Sequence, residues 1–126
     1  EENRIKKQKE LELEQKRIKD EESMIKAMLA VGKFPTLRYS FEDTTQTFEI
    51  NHPKILIGRE KTCFIYIDNS HLSRKHFSIE FINNAYNLID NNSANGLLLN
   101  GLKVDKAELK DGDIIEVANM KFIFYT

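Results

Sequence analysis

Tryptophan is absent from this 126-residue chain, cysteine occurs once, proline twice and glycine five times. The single cysteine, Cys63, excludes an internal disulfide framework, and that usage fits a reducing intracellular compartment, nucleus or cytoplasm. It lies beside Phe64 and Ile65 and so reads as a buried, inert thiol. No run is apolar enough to cross a membrane. A signal-peptide pattern is also missing, and a chain that begins at Glu1 reads as an excised piece. Neither charge sign prevails: 19 Lys and Arg stand against 20 Asp and Glu, a net charge of −1. A broad nucleic-acid surface would be basic, so no nucleic-acid partner is expected. Metal-ligand spacing, a Gly-x-Ser-x-Gly elbow and a P-loop are all missing. These absences argue against an enzyme and leave no metal site or cofactor to expect.

What is present changes character near residue 32. Residues 1–31 contain no Gly or Pro and are crowded with Glu and Lys, good helix formers. Glu2/Lys6, Glu12/Lys16 and Glu22/Lys26 have the order and spacing that support one charged helix. Gly32 can end it and Pro35 resists its continuation, which makes residues 32–35 a linker. Leu11, Ile18 and Ile25 recur every seven residues, but Lys7, Glu14 and Glu21 occupy most of the other seam positions before Met28. Two readings stay open. The helix is solvated, with its apolar end (Met24 to Val31) packed on the domain, or it continues a longer coiled coil. The half-empty seam predicts a monomer or weak dimer through this helix.

From Thr36 the hydrophobic period becomes two. Strands are expected at 36–41, 47–50, 55–57, 64–67, 77–82, 86–89, 97–99, near Val104, at 114–117 and at 121–125. Asp43-Thr44-Thr45 reads as a turn, and Asn83-Asn84 and Asn100-Gly101 as hairpin turns. About 10–11 short strands with no helix among them predict an all-β sandwich or barrel over residues 36–126.

Two runs in this frame read as the lips of a phosphate-binding cleft. One is Gly58-Arg59 followed by Ser73-Arg74-Lys75-His76. The other is Asn92-Ser93-Ala94-Asn95-Gly96, followed by Asn100-Gly101 and Asp111-Gly112-Asp113. Arg, Ser and Asn at strand ends can converge several donors on one anion. Their order and intervals resemble the forkhead-associated (FHA) family, whose members are β-sandwiches that bind phosphothreonine peptides.

The resemblance implies a role for each residue. Arg59 would be the main phosphate ligand, because its planar fork never deprotonates. Ser73 would donate its hydroxyl to the phosphate, and Arg74 would reach phosphate or peptide backbone. Asn95 would hold the peptide main chain, and His71 would bias the choice of peptide. Gly58, His76 and Gly96 would support the site, His76 by hydrogen bonds from its ring rather than by catalysis. Asn100 and Gly101 read as turn chemistry. Ala94 and Leu97 depart from the threonines common in the family, and Leu97 is expected to face the core. The implied partner is a phosphothreonine-containing protein or peptide, bound by an intracellular adaptor or signalling module. The alternative is a phosphate-independent FHA scaffold that assembles through its helix and another sandwich face. The intact Arg59, Ser73, Arg74 and Asn95 set favours the former.

Overall fold

Met120, Phe122 and Phe124 are buried while Lys121 and Tyr125 between and after them are exposed. This alternation is what a strand with one wet face requires, and it recurs through the chain. The computed structural model describes residues 22–30 and 33–126. Eleven strands run β1 (Thr36–Phe41), β2 (Thr44–Glu49), β3 (Lys54–Gly58), β4 (Ile65–Tyr66), β5 (Phe77–Ile82), β6 (Ala85–Asp90), β7 (Leu98–Leu99), β8 (Leu102–Lys103), β9 (Lys106–Glu108), β10 (Ile114–Val117) and β11 (Met120–Tyr125). They form a six-stranded sheet, β2-β1-β11-β10-β7-β8, and a five-stranded sheet, β4-β3-β5-β6-β9. Their facing sides make one core, in which the Phe77 and Phe122 rings meet edge to face at 5.4 Å. The architecture is the expected β-sandwich.

Four hairpins have two-residue loops with positive φ at both positions: Glu42-Asp43, Asn83-Asn84, Asn100-Gly101 and Ala118-Asn119. That backbone matches the twist of the flanking strands. The first moves the expected turn back: Thr44 and Thr45 are already in β2, paired with Phe41 and Ser40. Ile50, expected to close that strand, lies just past it, buried, with its N–H donating to the Pro35 carbonyl at 2.8 Å. The single strand expected near Val104 is instead β8 and β9, in different sheets.

Residues 22–30 are helical. The remainder of the expected 1–31 helix, with the coiled-coil seam positions before Ile25, lies outside the described residues. Met28 is fully buried in the core cluster, and Met24 and Leu29 are exposed. Met28 shares a cavity lining with Asn84, Tyr86 and Leu109, at the end of the sandwich bearing the β5–β6 turn. Ile57↔Phe77 and Phe77↔Asp90 are paired at the other end, so Gly58, the 67–76 segment and the 91–97 segment emerge there together. No described helix is long and apolar enough to cross a membrane.

Candidate functional site

Gly58 ends β3 against the backbone of the Ser73–His76 segment. A Cβ there would lie 2.2 Å from the Arg74 carbonyl oxygen and 3.0 Å from the His76 nitrogen. Hydrogen bonds join the same two segments: Arg59 N–H donates to Ser73 O at 3.1 Å, Glu60 N–H to Arg74 O at 3.1 Å, and His76 N–H to Ile57 O at 3.0 Å. The exposed Arg59 side chain adds a fourth, from Nε to Leu72 O at 3.1 Å. That bond orients the guanidinium and leaves its two terminal nitrogens for other acceptors.

His76 is fully buried between the two lips. Its Nδ1 accepts the Ser73 N–H at 3.0 Å, so the ring proton sits on Nε2 and is donated to Gly96 O at 2.9 Å. Its backbone carbonyl accepts the Asn91 N–H at 3.0 Å. One side chain thus ties the 73–76 segment to the 91–97 segment. Gly96 takes φ +67, a conformation costly for residues with a Cβ.

Two more bonds cross the gap. Ala94 N–H donates to Ser73 Oγ at 3.0 Å, which leaves the Ser73 hydroxyl proton free to be donated elsewhere. Asn95 Nδ2 donates to His71 O at 2.8 Å, leaving its second N–H and its oxygen. The His71 and Arg74 side chains are exposed. Arg74 contributes through its carbonyl, which also accepts the Cys63 thiol proton at 3.2 Å. Burial pushes that thiol above the ordinary cysteine range. Leu97 is buried, as read from the sequence. Asn100 closes its turn by donating to Asp113 Oδ1 and accepting the Ile114 N–H, both at 2.9 Å.

Two neighbours of these residues carry no sequence signal. Asn69 is buried; its oxygen accepts the His71 N–H at 3.0 Å and its Nδ2 donates to Ala118 O at 3.3 Å. It fastens the β10–β11 turn to the segment that holds Asn95. Lys103 lies across the other lip, its Cε 3.5 Å from where a Gly96 Cβ would be. Only the fold brings these groups beside the motif residues. Among the described residues no cluster of His, Cys, Asp and Glu could hold a metal.

Residues 55–118 match the sequence model of the FHA domain. The glycogen accumulation regulator GarA of Mycobacterium tuberculosis is 33% identical over 69 residues, 55% of this chain and 43% of that protein. The chain therefore spans less than half the length of GarA. The FHA domain-containing protein FhaA of the same organism is 28% identical over 78 residues, 62% of this chain and 15% of FhaA. Among solved structures, a chain studied for phosphothreonine-dependent FHA domain interactions superposes with a TM-score of 0.69 at 26% identity, covering 75% of this chain and 97% of that one. The FhaA FHA domain, complexed with the intracellular domain of Rv3910, gives 0.66 at 27% identity, covering 71% and 98%.

Proposed function

Because the chain belongs to the FHA domain family, we propose that it is a phosphothreonine-dependent peptide-binding module of an intracellular adaptor or signalling protein. Residues 36–126 form the binding domain, and the segment before it, helical at residues 22–30, leaves it a monomer or weak dimer. The module binds and does no chemistry on its partner. One observation carries this reading. Arg59, Ser73 and Asn95 each spend one polar group on an adjoining loop and keep further donors available.

Phosphothreonine brings a charge of about −1.5 to −2 and three strong acceptor oxygens. Arg59 takes these with its terminal nitrogens, Ser73 with its hydroxyl, and Arg74 from the rim. Asn95 pairs with the peptide main chain, using the amide hydrogen and oxygen left over from His71. The bracing bonds hold these groups before the ligand arrives, which lowers the ordering cost of binding. Gly58, His76 and Gly96 hold the loops at that separation, and His71 biases the residue beside the phosphothreonine.

Fluorescence titration with a phosphothreonine peptide and its unphosphorylated twin tests the reading. Charge-assisted hydrogen bonds contribute about 1.5–3 kcal/mol each, so the twin binds at least about a hundredfold more weakly. Arg59→Ala lowers phosphopeptide affinity by about 2–4 kcal/mol while the protein stays folded, and Arg59→Lys restores part of it. Equal binding of both peptides would instead favour a phosphate-independent scaffold.

A further inference from the structure

The pairing of the β10–β11 hairpin with its neighbouring strands stops short of its turn, at the end that carries the candidate site. On one side, β7 pairs with β10 only at Ile115↔Leu99 and Glu116↔Leu98, so Val117 and Ala118 extend past it. On the other, β1 pairing with β11 reaches only Tyr39↔Phe122, so Met120 and Lys121 extend past it. A groove of about 350 Å³ follows the β7 side, lined by Asn95, Leu98, Glu116, Asn119 and Lys121 among others. It opens at Asn95, and Asn69 fixes its hairpin wall to the loop that holds Asn95. A second groove, of about 420 Å³, flanks the hairpin's other side and includes Arg38 and Lys121.

Charge across this face is uneven. Lys103, Leu98, Glu116 and Lys121 form one transverse row on β8, β7, β10 and β11. Lys103 and Lys121 are exposed, while Glu116 between them is partly covered. Arg38 adds a third exposed cation against that one carboxylate.

We infer that this groove is a second recognition surface, which takes an acidic flank of the phosphothreonine-bearing partner, with Lys103 and Lys121 reading its carboxylates. The inference rests on the phosphothreonine reading above and names the chemistry of the partner beyond the phosphate. A chain held at Asn95 has the groove as its continuation. Carboxylates are the groups that its rim attracts, whereas a basic flank is repelled.

The test compares phosphothreonine peptides with Asp and Glu in one flank at a time against Asn and Gln counterparts. Acidic residues in one flank raise wild-type affinity about three- to tenfold, the range two exposed ion pairs supply. That ratio falls to near one in the Lys103→Gln/Lys121→Gln double variant. It is retained in Lys54→Gln, which removes a cation from the other sheet. Persistence of the ratio in the double variant overturns the inference. So does its loss in Lys54→Gln, which would make it an effect of overall charge. Equal affinity of acidic and neutral phosphopeptides overturns this inference alone. If no phosphothreonine peptide binds the wild type, the phosphothreonine reading fails and takes this inference with it.

Discussion

Gly58→Ala is the smallest change that separates the two segments beneath Arg59. Its added methyl would meet the Arg74 carbonyl oxygen at 2.2 Å, the Arg74 carbonyl carbon at 2.8 Å and the His76 nitrogen at 3.0 Å. All three atoms are backbone, so no rotamer change relieves the overlap. Contact at ordinary van der Waals distance requires the segments to part by about 1 Å. The bonds Arg59 N–H to Ser73 O, Glu60 N–H to Arg74 O and His76 N–H to Ile57 O now measure 3.1, 3.1 and 3.0 Å. A parting of that size takes them out of hydrogen-bonding range. Each contributes about 1 kcal/mol net. Alanine recovers about 0.4–1 kcal/mol by restricting the unfolded chain. The expected loss is about 2–3 kcal/mol, or roughly 8–15 °C in Tm for a domain of this size. Arg59 and Ser73 sit on the displaced backbones, so phosphopeptide affinity falls by at least about tenfold. Urea denaturation and peptide titration of the same preparation measure both. A variant with wild-type Tm and wild-type affinity would refute the argument from close approach.

His76→Ala removes the buried ring that joins Ser73 N–H to Gly96 O, and costs about 2–5 kcal/mol of stability together with peptide affinity. An unchanged Tm with abolished binding would make His76 a direct ligand. Met28→Ala empties a fully buried site at the opposite end of the sandwich and costs about 2–5 kcal/mol in a denaturation experiment, with peptide affinity unaltered. A neutral effect on stability would show that the helix does not contribute to the core. At alkaline pH, burial pushes the Tyr39 and Tyr86 phenols above the ordinary tyrosine range. The unfolded chain then releases these protons first, so their stability contribution is complete below pH about 10 and declines as pH rises above it. Tyr39→Phe and Tyr86→Phe each flatten that decline in a pH-resolved melting series. An unchanged slope in both would contradict it.

The hairpins show where sequence reasoning reaches and where it stops. Asn83-Asn84 and Asn100-Gly101 are legible because Asn and Gly tolerate positive φ for local reasons. Glu42-Asp43 and Ala118-Asn119 adopt the same geometry, yet Glu and Ala have no local preference for it. Their conformation is imposed by the register on either side, Phe41↔Thr44 and Val117↔Met120, which buries alternate residues in the core. The long alternating strands β1, β5 and β11 were readable from their period. The two-residue β8 and three-residue β9 are not separable in the sequence, because so short a run has no period and is assigned to its sheet by its partner.

The candidate site divides in the same way. Gly58, Arg59, Ser73, His76 and Asn95 stand out as residue types at characteristic intervals, and the fold gathers them at one end. Asn69 and Lys103 have no such signal. Asn69 acquires its place only because Ala118, 49 residues away, presents a carbonyl to its amide. Asn69 Oδ1 also holds the His71 N–H, and the His71 carbonyl holds the Asn95 amide. The hairpin wall, the 69–73 segment and the Asn95 side chain are therefore linked in series through single hydrogen bonds. Each costs little to break alone, about 1 kcal/mol. Breaking one also releases the groups beyond it. Loop position at this end of the sandwich consequently depends on residues that no motif includes.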